Sequence, residues 1–325
     1  MTKKSLIFLA SLFVFSVAVY TLTARAISYH VVLNDFWTVF YYARHLNLSI
    51  PASWQNSLFP IGYAAVLHLI PVRHALWLAF LLNIGLASLA VTAASALALT
   101  GNHFWRAALV GLVAIFYPLT FRYANTTGPD IGVATFIALG VFFLWQPQLD
   151  SRPVSPFFSI CAGFFLGLAS LWRAHAIVAG LAILAVYAVL SGLKPFWQQK
   201  SLWLTFLLVA GLQALVNLVS GHGLLENAQY FNIYKTFFGN DWLTVPESAS
   251  ASLASLLFSN PHAFLSEYLP QVWKTALYAW PAILLYFLSR EQPLKRLALF
   301  SGFVIIIYSL PVAFGSSPRA PPSTT

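Results

Sequence analysis

From Ser5 to Ala24 the chain runs without a single charge, and from Ala75 to Leu99 it does so again for 25 residues. A helical membrane crossing needs about 20 predominantly apolar residues. In hydrocarbon every backbone polar group must be satisfied within the segment, so such runs are restricted to helices. Further apolar runs follow at Ala107–Phe121, Ile131–Gln146, Phe157–Trp172, Ala176–Leu193, Leu202–Val219, near 271–288 and at Leu297–Phe314. The pattern predicts an all-α polytopic membrane protein with about nine transmembrane helices. Leu58–Pro71 is apolar but too short to cross and is expected to be a re-entrant or juxtamembrane helix. Composition agrees: 59% of the 325 residues are hydrophobic and 8% are charged, against about 25% charged in a soluble domain. Nucleic acid is excluded as a partner despite the net charge of +9. The excess fits cytoplasmic loops, anionic headgroups and a phosphate-bearing ligand.

Lys3 and Lys4 precede the first run, so the positive-inside rule puts the N-terminus in the cytoplasm and Arg25 outside. Ala24-Arg25-Ala26 has the form of a signal-peptidase site, but the run is longer than a signal core of about 7–15 residues, which predicts an uncleaved anchor. Outer loops then fall at 25–57, 122–130 and 220–270, with the tail 315–325 also outside. Nine of the 17 Lys and Arg lie inside by this count, including five of seven lysines, while six of the eight acids lie outside. Arginines and acids held near a membrane without a topological reason are functional candidates. The one cysteine, Cys161, excludes an intrachain disulfide. The sequence contains no CxxC, HExxH, Walker A or GxSxG pattern.

The outer segments carry the chemistry. In the stretch Asn34–Leu46, Phe36, Val39, Phe40 and Ala43 recur at i, i+3, i+4 and i+7, which predicts an amphipathic helix lying on the interface with this face down. It also bears Asp35, Arg44 and His45. Asn34 suits an N-cap, and an acid beside it favours the helix dipole. Gly128-Pro129-Asp130 reads as cap, N1 proline and first-turn acid of the next span. A tight turn carries Arg173 and His175. In the long loop, Phe231, Tyr234 and Phe238 form an aromatic stripe beside Lys235, and Asn260-Pro261 reads as a second helix start. Gly163-x3-Gly167 predicts a close helix contact.

The order of these features resembles the GT-C glycosyltransferases: an Asp soon after the first span, then Tyr42-Ala43, Phe59-Pro60-Ile61-Gly62-Tyr63, Tyr117-Pro118 followed by Arg122 and Asp130, and Gly163-x3-Gly167-Leu168-Ala169-x3-Arg173. The resemblance is to the bacterial branch that includes lipid A aminoarabinose and galacturonic acid transferases and protein O-mannosyltransferases, and it covers roughly residues 1–320. It implies transfer of a sugar from a polyprenyl-phosphate carrier to a lipid, glycan or protein acceptor at the outer face of the plasma membrane. Inversion by in-line displacement needs a base for the acceptor hydroxyl and cations for the departing phosphate. On that resemblance Asp35 matches the catalytic acid, and Asp130 a second-loop acid. Arg44, Arg122, Arg173, His175, Lys235 and Arg319 are candidates for substrate binding. Some relatives use a divalent ion and others do not. Family members continue past an outer P-R-aromatic element, whereas here Ser317-Pro318-Arg319 is followed by Ala320-Pro321-Pro322-Ser323-Thr324-Thr325. The resemblance therefore implies a shortened tail. A secondary transporter and an O-antigen ligase or polymerase are the competing readings.

Overall fold

The computed structural model describes residues 2–26, 31–32, 34–47, 49–54, 59–99, 103–149 and 154–221, together with a few helical residues between 261 and 299; of residues 31, 32, 34, 35 and 149 the backbone alone is described. The described chain is almost wholly helical. Its elements are α1 (Lys3–Ala26), β1 (Val31–Val32), α2 (Asn34–His45), α3 (Ile61–Leu69), α4 (Ala75–Ala98), α5 (Phe104–Phe116), α6 (Pro118–Ala124), β2 (Thr126–Thr127), α7 (Asp130–Leu149), α8 (Pro156–Trp172), α9 (Ala176–Ser191), α10 (Leu193–Gln198) and α11 (Lys200–Val219). Residues 1–180 with 194–225 form one compact unit and residues 181–193 with 226–325 a second. All that follows concerns the first.

Among the described residues four helices are long and apolar enough to cross a membrane: α1, α4 with its preceding turn from Val72, α7 and α11. The bent pair α5 and α6 makes a fifth if counted as one span, and the apolar α8 and α9 are shorter. The expected single crossing over 107–121 is broken by a 61° bend. Its cause is local. A residue before proline is pushed out of the helical region, and Tyr117 accordingly adopts φ −61° and ψ 126°. Pro118 then opens α6 at a first-turn position, where its missing N–H costs nothing. Expected crossings near 271–288 and 297–314 lie almost entirely outside the described residues.

Small side chains set the packing. Ala79, Asn83, Ala87, Ser88, Val91 and Ser95 form the buried side of α4, which contacts α1, α5 and α7. The Gly163-x3-Gly167 contact is present. A Cβ on Gly163 would stand 2.2 Å from the Leu202 carbonyl oxygen and one on Gly167 2.7 Å from the Val209 Cβ, so α8 lies backbone to backbone on α11 at Gly163 and receives the Val209 side chain at Gly167.

The apolar face of α2 is turned otherwise than expected. Phe36, Val39, Tyr42, Ala43 and Leu46 are buried in one cluster with Tyr63, Ala64 and Leu67 of α3, so the face read as lipid-directed is covered by protein. Two short helices, neither long enough to cross, cover each other. Arg44 closes the arrangement: its Nη2 donates to the Leu67 carbonyl at 3.1 Å, which also accepts the Ile70 N–H, and to the Ile70 carbonyl at 2.7 Å, just past the end of α3. The Ala43 carbonyl is in turn 2.8 Å from His68 Nδ1.

Candidate functional site

A two-residue strand pair joins the segments that precede α2 and α7. β1 and β2 are parallel, with Val31 opposite Thr126 and Val32 opposite Thr127. Each strand feeds a helix, α2 and α7. Asp35 and Asp130 stand the same three residues beyond the matched pair Val32 and Thr127, so the two acid-bearing helix starts leave the strand pair side by side. The side chain of Asp35 lies outside the described residues.

The second loop is held from beneath by α4. Asn83, fully buried, donates from Nδ2 to the carbonyls of Thr126 at 2.8 Å and Gly128 at 3.1 Å. Gly128 has φ 137°, a conformation that favours glycine. Pro129 follows and Asp130 opens α7 in the first turn, as the sequence predicts. Asp130 also has a partner 43 residues away: Arg173 Nε donates to its Oδ1 at 3.0 Å. Arg173 follows the last residue of α8 in extended conformation, φ −146° and ψ 126°. Its guanidinium carbon stands 5.2 Å from the centre of the Phe59 ring. The Arg173 side chain is 11% exposed and that of Asp130 30%, so the pair stands at an edge, largely withdrawn from solvent.

Three aromatic rings support it. Trp172 stands 5.0 Å edge-on from Phe136 and 5.6 Å from Tyr63. A Cβ on Gly132 would stand 2.3 Å from Trp172 Nε1, so the indole rests directly on the first turns of α7. A Cβ on Gly62 would stand 2.4 Å from the Leu171 carbonyl oxygen, which brings α3 equally close to the end of α8. Gln213 of α11 accepts the Ile61 N–H at 2.9 Å and so caps α3 from across the unit. The Tyr63 hydroxyl is buried and makes no hydrogen bond of good geometry, and neither does the buried Trp172 Nε1. Burial pushes the Tyr63 phenol above its ordinary range, with the Asp130 charge acting in the same direction and the Gly128 backbone against it.

The structure thus brings Asp130 and Arg173 together, and the β1–β2 pair leads into α2, which bears Asp35, and into α7. Arg44 is occupied by the end of α3. Arg122 is exposed in the last turn of α6, its guanidinium 5.9 Å from the Tyr123 ring centre. His175 is half-buried in the turn after Arg173, where its carbonyl accepts from the Val178 N–H. Lys235 and Arg319 lie outside the described residues. Among the described residues no group of three or more His, Cys, Asp and Glu is arranged to hold a metal ion. Three further contributors carry no motif of their own. Tyr63 ends the Phe59–Tyr63 stretch, Trp172 immediately precedes Arg173, and Asn83 is the one amide in the Ala75–Leu99 run. A strongly polar group inside an apolar span is the signal that marks Asn83. Chemically, a carboxylate and a guanidinium at adjoining helix ends form an edge suited to an oxyanion or a polyhydroxyl ligand. No family model, curated protein or solved structure matches this chain.

Proposed function

We propose that this protein is an inverting glycosyltransferase of the GT-C type. It moves a sugar from a polyprenyl-phosphate carrier to a lipid, glycan or protein acceptor at the outer face of the plasma membrane, within a chain of about nine spans whose N-terminus is cytoplasmic. The observation that supports this reading best is the parallel pairing of β1 with β2. The two strands lead into α2 and α7, the helices that bear the first-loop and second-loop acids, and the second of these acids is bonded to Arg173.

In the reaction the acceptor hydroxyl oxygen bonds to the anomeric carbon as the bond from that carbon to the carrier phosphate breaks. The hydroxyl proton passes to the Asp35 carboxylate, and the polyprenyl phosphate leaves with the electron pair. Arg173 supplies positive charge for the departing phosphate by charge-assisted hydrogen bonding. Asp130 fixes Arg173 through its Nε, and Phe59 and Trp172 limit where the guanidinium moves. Arg122 and His175 are the nearest further candidates for the phosphate or sugar, and Lys235 and Arg319 for the carrier. General-base catalysis contributes about 10²–10⁴-fold. Asp35→Asn in membranes supplied with polyprenyl-phosphate sugar is therefore expected to lose transfer by about that factor at normal expression. Transfer at the wild-type rate would remove Asp35 from this role.

A further inference from the structure

The outward side of α2 and the corner between α3 and α4 form a surface that is exposed among the described residues. On α2, Trp37 and Tyr41 are 54% and 66% exposed at i and i+4. His45 extends the row at i+8, its ring 4.0 Å from that of Tyr41 and its Nδ1 2.9 Å from the Tyr41 carbonyl. At the corner, Leu69 and Val72 are 81% and 63% exposed, and Arg73 and His74 beside them are exposed as well. The two regions are tied together, because Arg44 of α2 donates to the Leu67 and Ile70 carbonyls at the end of α3.

Leu69 and Val72 expose more apolar surface than an aqueous loop tolerates without a partner, and three features identify that partner. First, the corner is continuous with the outward stripe of α4, where Trp77, Leu81 and Leu89 are exposed along a helix apolar enough to cross a membrane. Second, Trp and Tyr rings concentrate at the headgroup level of a bilayer, where one edge is apolar and the other wet. Third, residues 36–99 include no acid, while Arg44, Arg73 and three histidines fall among them, so the charge complements an anionic layer.

We propose that this surface is a headgroup-layer anchor. Trp37, Tyr41, Leu69 and Val72 insert at the boundary between headgroups and acyl chains, and Arg73 contacts lipid phosphate. The face of α2 that meets lipid is then the aromatic one, opposite the face its hydrophobic periodicity selects. This holds α2, and with it Asp35, at a set depth. It does not depend on the proposed sugar transfer and is tested without any substrate.

The test uses the full chain with Cys161→Ser, reconstituted in nanodiscs containing anionic lipid. Single cysteines replacing Tyr41, Val72, Ala52 and Leu89 are spin-labelled, and collision with oxygen is compared with collision with a water-soluble nickel reagent. Labels at 41 and 72 are expected to show an oxygen-to-nickel ratio several-fold above the free label in water and below that at Leu89. A ratio at 41 and 72 equal to the free label in water overturns the proposal. So does loss of the nickel signal only when a soluble sugar is added, since the surface would then be a glycan platform. In the same discs Arg73→Gln is expected to reduce the effect of anionic lipid on the ratio at 72, and an unchanged effect removes Arg73 from the anchor.

Discussion

Arg173 and Asp130 meet through one 3.0 Å bond from Nε to Oδ1, joining the end of α8 to the start of α7. The bond ties a helix start, where a carboxylate is favoured by the dipole, to a helix end, where a cation is favoured. Each residue is thus placed well for its own helix as well as for the pair.

Removing either partner leaves the other largely withdrawn from water. Asp130→Asn is expected to cost about 1–3 kcal/mol, between the small value of an exposed pair and the larger one of a fully buried pair. Arg173→Lys is expected to cost a similar amount, because a lysine carries no donor at the Nε position. Thermal unfolding in detergent, run as a double-mutant cycle, is expected to give a coupling energy well above that of two independent sites.

Gly163 and Gly211 separate packing from propensity. A Cβ at Gly163 meets the Leu202 carbonyl oxygen at 2.2 Å, whereas at Gly211 nothing lies within 4 Å. Gly163→Ala is expected to force α8 from α11 and lose about 1–3 kcal/mol. Gly211→Ala is expected to be neutral or to gain about 0.5–1 kcal/mol. Denaturant resistance of the two variants, compared side by side, checks the sign of each.

Gly132→Ala is expected to displace the Trp172 indole, and with it the neighbouring Arg173. Stability is expected to fall by about 1–3 kcal/mol, and sugar transfer, where the proposed activity holds, to fall further than stability accounts for. Trp172→Phe in the same chain is expected to restore part of the stability, because the smaller ring vacates the atoms nearest the added methyl.

Arg44→Ala is expected to behave as a stability variant. It removes the side-chain donor from the Leu67 and Ile70 carbonyls, the first of which keeps the Ile70 N–H, and is expected to cost about 1–3 kcal/mol. Measured at a temperature where the variant is folded, its apparent KM for the carrier lipid is expected to match the wild type. A raised KM at unchanged stability would instead assign Arg44 to the substrate.

Tyr42 and Tyr63 make stability fall in alkali. Burial raises both phenols above their ordinary range, so the folded chain keeps the protons that the unfolded chain releases near pH 10. Their contribution is therefore intact below about pH 9 and is lost progressively above pH 10. Tyr63→Phe is expected to reduce that alkaline loss. It is also expected to change stability little at pH 7, since the hydroxyl makes no hydrogen bond of good geometry.

The positions of the apolar helices were legible because crossing a membrane imposes length and charge limits that any 20-residue window displays. The proline signals were equally plain at Gly128-Pro129-Asp130, where the sequence alone predicts a helix start. At Tyr117-Pro118 the same local rule breaks a helix inside an apolar run, and hydropathy is blind to that break because both halves are apolar. Periodicity also located α2 and its apolar face. It left open whether lipid or protein would cover that face, because the two are alike to a phenylalanine side chain. Only the docking of α3 decided for protein and so left Trp37 and Tyr41 outward.

By itself, then, the sequence determined that this is a helical membrane-embedded chain, that a helix starts at Gly128-Pro129-Asp130, and that Gly163 and Gly167 let two helices touch. The tertiary structure alone decided the partners of its charges. Asp130 meets Arg173, Arg44 meets two carbonyls, and Val31–Val32 pairs with Thr126–Thr127 across some 95 residues. The reason is physical. Helix formation and membrane partitioning are governed by neighbours along the chain, whereas a charge in a nearly charge-free fold is satisfied by whichever donor or acceptor the packing delivers, and packing acts between segments far apart in sequence.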